Sequence, residues 1–106
     1  MTTDGSDPTS PLARLLGRWR LIRADDALEF APDVRMEFQH GGRLRYEFAV
    51  GPRRQTLMLL YRVEGDTLHT DNPAASHVRS TRFHFGAGEV LVFDFVGACA
   101  WFVREF

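Results

Sequence analysis

Two tyrosines are the side chains in this sequence with the clearest potential to orient or act on a small molecule. Tyr46 and Tyr61 lie in segments where apolar and polar residues alternate, and both fall on the apolar side of the alternation. A phenol inside an apolar cavity can donate a hydrogen bond or a proton to a bound molecule. Thr70 and Thr81 occupy the same side, where they could contact a ligand or simply bond to one another and the backbone.

The histidines and the single cysteine give no motif for metal binding or nucleophilic catalysis. The four histidines stand at positions 40, 69, 77 and 84 without the close spacing of a zinc site. Cys99 follows a predicted turn and has no base beside it in the predicted register. The sequence also lacks a glycine-rich phosphate-binding motif. We therefore predict no metal, no cofactor and no catalytic residue.

The composition of the chain limits the classes of partner that it could bind. The net charge is −1, and the basic residues, all arginines, are dispersed along the chain, which argues against a nucleic-acid partner. The chain shows no apolar run of membrane-spanning length, so we predict no membrane partner. One cysteine and a polar, acidic start without the features of a signal peptide predict a cytoplasmic location.

Short alternating segments separated by glycine turns predict an all-β fold. We expect a flexible tail over residues 1–10 and one domain over residues 11–106, beginning with a short helix or an extended arm at 11–16. Strands are predicted near Trp19, near residues 34–38 and 44–50, and at 56–64, 67–71, 78–86, 89–96 and 99–106. No long helix is present to cover the apolar face of such a sheet. An antiparallel up-and-down meander of about eight strands, closed into a small barrel, would bury that face and remove exposed edges.

The turns predict how the strands pair. A three-residue loop at His40–Gly42 places Phe38 opposite Leu44, and a two-residue turn at Gly65–Asp66 places Val63 opposite Leu68. By the same reasoning, Gly86–Gly88 pairs Phe83 with Leu91, and Gly97–Ala98 pairs Phe93 with Phe102. All four hairpins then present one consistent apolar face.

Four short motifs carry a resemblance to a known family. They are Leu16-Gly17-Arg18-Trp19-Arg20-Leu21, the run Tyr61-Arg62-Val63-Glu64-Gly65-Asp66-Thr67-Leu68, the pair Val90-Leu91, and the closing Phe102-Val103-Arg104. Over roughly residues 15–106 the sequence resembles the small bacterial lipocalin-like domains of the calycin type. The resemblance implies that Trp19 closes the barrel floor and that Arg104 packs across it as a structural clasp. A cation–π contact would give the inward guanidinium a partner.

The resemblance and the inner face together predict a non-catalytic protein that binds a small apolar molecule, provided the barrel holds a cavity. The candidate ligand-binding residues are Tyr46, Tyr61, Phe48, Phe83, Phe93 and Arg104. A barrel filled by its own phenylalanines would instead be a structural or interaction module. Two alternatives stay open: a small-barrel cyclase or isomerase using Tyr46, Tyr61 or Arg104, and a protein-binding or inhibitor module using the N-terminal arm.

The predicted outer face contains an apolar group that a monomer has no reason to expose. Its members belong to the last two predicted strands and are Val90, Val92, Trp101 and Val103. A contiguous exposed apolar patch is typical of an interface. We therefore expect a homodimer through this patch, unless the N-terminal segment covers it.

Overall fold

The computed structural model describes residues 10–28, 33–74 and 77–105, with the backbone alone at His77. Within these ranges each strand pairs antiparallel with the next, and the last strand returns to the first to close a barrel. The predicted all-β meander is confirmed. The elements are α1 Pro11–Leu15, β1 Gly17–Ala24, β2 Arg35–Gln39, β3 Arg43–Val50, β4 Arg53–Glu64, β5 Thr67–Asn72, β6 His77–Phe85, β7 Leu91–Asp94 and β8 Cys99–Glu105.

The closure between β1 and β8 brings the two ends of the sequence together. Trp19 lies directly opposite Arg104, and Leu21 lies opposite Phe102. A bulge at Ile22 then shifts the pairing by one residue on β1. The shift keeps Ala24 on the inner face opposite the buried Ala100.

The helix α1 covers the end of the barrel at which β1 begins. Ser10 caps it, because the Ser10 side chain accepts a hydrogen bond from the N–H of Ala13 at 3.1 Å. Leu15 is completely buried and belongs to the barrel core. The short N-terminal segment is therefore a helix here. Residues 1–9, most of the predicted tail, lie outside the described residues.

Two of the four predicted hairpin registers are confirmed. Phe38 pairs with Leu44 across the His40–Gly42 loop, where Gly42 has a φ of 79°. Val63 pairs with Leu68 across Gly65–Asp66. In both places the glycine adopts the left-handed conformation that the turn requires.

The other two predicted registers are wrong, each by two residues. Phe83 faces Phe93 rather than Leu91, because the loop is longer than its glycines suggest: it includes a 3-10 turn at Ala87–Glu89. Phe93 faces Ala100 rather than Phe102, because the β7–β8 loop begins at Phe95, whose N–H donates to the Ala98 carbonyl. Since side chains alternate with a period of two, both displacements leave the inner face unchanged.

The inner face forms a core that is denser at one end of the barrel than at the other. We call the end covered by α1 the floor, and the opposite end, where β1, β3, β5 and β7 finish, the cavity end. Fully buried large side chains gather from the floor to the middle of the barrel, among them Leu15, Trp19, Phe38 and Leu91. At the cavity end the inward Leu57 is 41% exposed. The barrel is therefore filled at one end only.

Candidate ligand-binding cavity

A cavity of about 470 Å³ occupies the cavity end of the barrel. Its volume falls in the range of roughly 300–1,000 Å³ that is typical of small-molecule sites. All eight strands except β1 contribute to the lining, together with the segment that follows β1. The lining residues are Leu28, Met36, Leu44, Tyr46, Leu57, Leu59, Leu68, Thr70, Asn72, Arg79, Thr81, Phe93, Phe95 and Phe102.

Polar groups are concentrated on one wall of this cavity. Thr70 and Asn72 project inward from β5, and Thr81 and Arg79 from β6, with Thr70 directly opposite Arg79. The rest of the lining is aliphatic or aromatic, apart from the Tyr46 hydroxyl. The cavity therefore has one polar wall, formed by the β5–β6 hairpin, and an apolar remainder.

Tyr46 and Phe93 are the two predicted ligand-binding residues that line the cavity. Burial raises the pKa of the Tyr46 phenol above its usual value, so the group stays protonated near neutral pH. Among the described residues its hydroxyl has no hydrogen-bond partner, although the ring packs against Phe48 at 5.8 Å between centroids. Tyr46 is thus a donor directed at the cavity.

The other four predicted ligand-binding residues lie outside the lining. Phe48 supports the Tyr46 ring, while Phe83 packs beneath the cavity against Phe85 and Phe93. The Tyr61 hydroxyl donates to the Gln39 carbonyl at 3.0 Å, and burial raises its pKa. Arg104, the fourth, belongs to the floor.

The floor is held by the two residues predicted to form a clasp. The Arg104 guanidinium lies 4.3 Å from the centroid of the Trp19 ring. It donates to the carbonyls of Leu16 and Arg14 at 2.8 and 2.7 Å. The Trp19 indole N–H donates to the Leu15 carbonyl at 2.8 Å. Both terminal guanidinium nitrogens and the indole N–H therefore bond to α1 or the residue after it.

The geometry also explains the glycine that precedes the tryptophan. Gly17 has a φ of +116°, and a Cβ placed there would lie 2.8 Å from Nη1 of Arg104. The backbone conformation favours glycine, and a Cβ would also force a shift of the guanidinium, which two hydrogen bonds to backbone carbonyls hold in place. The Gly17-x-Trp19 motif and the distant Arg104 are parts of one contact.

The four residues of the predicted dimer patch are largely covered within the single chain. Val92 is only 5% exposed, and the other three are half-buried. The Arg23 guanidinium covers the Trp101 ring at 4.7 Å from its centroid. The homodimer stays a prediction, and the exposed large apolar side chains of the barrel wall lie elsewhere, including Met58, Leu60 and Val78.

His69 links two polar side chains on the outer face of β4–β6. Its Nδ1 lies 2.7 Å from Ser80 Oγ, and its Nε2 lies 2.9 Å from a Glu64 carboxylate oxygen. The order resembles a nucleophile, a base and an acid, but the three side chains lie outside the barrel and away from the cavity lining. We interpret them as a surface hydrogen-bond chain.

Neither the cysteine nor a metal cluster adds chemistry to the described part of the chain. No group of three histidine, cysteine or carboxylate side chains there is placed to hold a metal ion. Cys99 is half-buried, and desolvation, with the nearby Asp94 and Asp25 carboxylates, raises the pKa of its thiol. The thiol is therefore less reactive than a free cysteine near neutral pH.

Sequence reasoning missed the polar residues nearest the rim. Asn72 was assigned to no site because the stretch after Asp71 reads as a loop, and Arg79, although within the predicted strand at 78–86, was not placed on the inner face. Extending the confirmed alternation of β5 and β6 by two residues beyond Thr70 and Thr81 would have placed both side chains inward. The inward placement of Asn72 and Arg79 was therefore predictable from the strand register, although not from the composition.

The fold and the cavity define a class, a small closed antiparallel β-barrel with one filled end. No profile of a known protein family matches the chain. No curated protein matches it either. A similar structure is the crystal structure of an uncharacterized protein from Bacteroides eggerthii DSM 20697, with 13% identity and a TM-score of 0.68. The alignment covers 86% of this chain and 99% of that chain, and at this identity the likeness concerns the fold alone.

Proposed function

We propose that this chain is a non-catalytic, lipocalin-like protein that binds a small, largely apolar molecule inside its barrel. The observation that carries the proposal is the cavity of about 470 Å³ at the end opposite α1. Apolar walls with a few placed polar groups are the usual composition of a small-molecule site. The contact between Trp19 and Arg104 supports the lipocalin-like assignment.

Binding of an apolar dye by cavity variants tests the proposal. N-phenyl-1-naphthylamine emits more strongly in apolar surroundings, and we expect the wild-type protein to bind it. Leu59→Trp, which fills the cavity, should abolish the signal. Leu60→Trp is the matched control, because Leu60 is the next residue on β4, faces outward and is 47% exposed.

Two outcomes of this experiment would contradict the proposal: no binding by wild type, or equal loss in both tryptophan variants. Native mass spectrometry of the freshly purified protein provides an independent check. A reproducible added mass that Leu59→Trp lacks would support binding of a small molecule inside the barrel.

The catalytic alternative has less support from the geometry. Of the three side chains considered as proton donors, Tyr61 and Arg104 are hydrogen-bonded to backbone carbonyls at or near the floor. Of the three, only Tyr46 faces the cavity, and burial raises the pKa of its phenol, which makes it a weaker acid. For the alternative based on an N-terminal arm, residues 1–9 lie outside the described part of the chain.

Self-association through Val90, Val92, Trp101 and Val103 is a separate proposal. Partial exposure of three of these side chains supports it. We expect sedimentation as a dimer at micromolar concentration and as a monomer after Trp101→Asp. A wild-type monomer would remove the proposal. A cytoplasmic location likewise stays a prediction, and no helix among the described residues could cross a membrane.

A further inference from the structure

The cavity is unusual in where its polar groups lie. Thr70, Asn72, Arg79 and Thr81 run along one wall, from the middle of the barrel to the rim, rather than gathering at one point. Successive inward residues of a strand are separated by about 7 Å. A ligand in contact with this wall therefore meets polar groups along its whole flank.

The threonine hydroxyls of this wall are able to form hydrogen bonds with a ligand. Within the described residues, neither the Thr70 nor the Thr81 hydroxyl has a hydrogen-bond partner. Asn72 accepts a bond from the Ala74 N–H through Oδ1, so its amide nitrogen is the group it can offer to a ligand. An apolar chain packed against these groups would strip their water without replacing it.

The part of the cavity wall that adjoins this polar wall, on β7 and β8, is aromatic. Phe93 and Phe102 meet edge to face at 5.5 Å, and Phe95 lies 6.3 Å from Phe93. Because Phe93 and Phe102 are almost completely buried, the half-buried Phe95 presents most of this aromatic surface to a further ring. The lining thus combines a hydrogen-bonding wall with an aromatic one.

We propose that the ligand is an oxygenated aromatic compound, with hydroxyl or carbonyl groups along one edge, and not an unbranched fatty acid. Its oxygenated edge lies along Thr70, Asn72 and Thr81. Its rings lie against Phe93, Phe95 and Phe102, and Arg79 and Tyr46 contact its outermost polar group. This inference rests on the proposed binding function and specifies the class of ligand.

Calorimetric titration with two commercial probes tests the inference. Apigenin is a hydroxylated flavone, and myristic acid is a saturated fatty acid of broadly similar size. We expect wild type to bind apigenin at least tenfold more tightly than myristic acid. The double variant Thr70→Val/Thr81→Val should weaken apigenin binding roughly tenfold, because it removes two hydrogen bonds, and leave myristic acid unaffected or bound more tightly.

A matched control distinguishes the loss of hydrogen bonds at the polar wall from a general effect of replacing threonine by valine. Thr56→Val makes the same substitution on the outer face of β4, and both affinities should stay at the wild-type value. Equal or tighter binding of myristic acid by wild type would overturn the inference, as would an apigenin affinity unchanged in the double variant. If wild type binds N-phenyl-1-naphthylamine but neither apigenin nor myristic acid, the inference is overturned while the proposed function stands. Loss of all three probes would contradict the proposed function itself.

Discussion

The floor and the cavity end of the barrel are built from the same strands, yet they treat their inward polar groups differently. At the floor the Trp19 indole and the Arg104 guanidinium bond to backbone carbonyls, and just above them so does the Tyr61 hydroxyl. Inside the cavity the hydroxyls of Tyr46 and Thr70 have no partner among the described residues. Satisfied buried groups stabilise a fold, whereas groups left unsatisfied in a cavity are available to a ligand. The contrast separates residues that stabilise the barrel from residues that would bind a ligand inside it.

The largest effect should come from removing the centre of the floor. Trp19 is completely buried, so Trp19→Ala leaves a cavity and should lower the free energy of unfolding by about 3–5 kcal/mol in urea denaturation. Trp101→Ala is the control, because Trp101 is half-buried on the outer face, and its loss should be clearly smaller. If Trp19→Ala fails to fold, Trp19→Phe gives a milder test of the same site. Equal losses at the two tryptophans would contradict the distinction between floor and wall.

A smaller loss is expected where the floor excludes a side chain. Gly17→Ala meets both an unfavourable φ and the Arg104 guanidinium. Gly41→Ala has an unfavourable φ alone, +88°, with nothing within 4 Å of the added Cβ. We expect about 1–2 kcal/mol for Gly41→Ala and about twice that for Gly17→Ala. Equal losses in thermal or chemical denaturation would show that the contact with Arg104 does not constrain Gly17.

The two tyrosines sharpen the comparison with one chemical change. Tyr61→Phe removes the hydrogen bond to Gln39 and should cost about 1 kcal/mol of unfolding free energy. Tyr46→Phe removes a hydroxyl without a described partner, so its stability should stay within about 0.5 kcal/mol of wild type. Of the two variants, only Tyr46→Phe should bind apigenin more weakly than wild type. The reverse pattern would exchange the roles assigned to the two residues.

The smallest effect concerns the outer face, beyond both ends. Hydrogen bonds from His69 and Arg62 lower the pKa of Glu64, and a hydrogen bond from Arg82 lowers that of Asp66. A carboxyl with a folded-state pKa below its unfolded value adds stability above the unfolded pKa, near 4. That stability is lost as pH falls through the folded pKa. Because both groups are fully exposed, we expect only a slight flattening of the acid side of the stability profile in Glu64→Gln/Asp66→Asn. A large change in the melting temperature at pH 7 would contradict this.

The sequence predicted the elements better than it predicted the site. Glycines at 42 and 65 mark tight turns, so the pairing across them could be derived from the turn length together with the alternation of apolar residues. The loops around Gly86 and Gly97 also use Glu89 and Val96 at φ values of 60° and 56°, conformations that neither residue type signals. Their lengths therefore could not be counted from glycines.

The site was only half predicted, because alternation tells which face a side chain takes but not how far along the barrel the core is filled. Tyr46 and Tyr61 share a face, yet one lines the cavity and the other bonds to Gln39. That difference depends on α1 and Trp19 filling the floor. Only the three-dimensional structure shows where the filling stops.

The alternation of side chains along β7 has a consequence for the registers that such a barrel can accept. Lengthening or shortening the loops at either end of β7 by a pair of residues preserves which side chains face inward. A register shift of two residues therefore keeps the inward set, whereas a shift of one residue inverts it unless a bulge absorbs the extra residue, as at Ile22. The same architecture is compatible with a largely different sequence, because the Bacteroides eggerthii structure shares the fold at 13% identity.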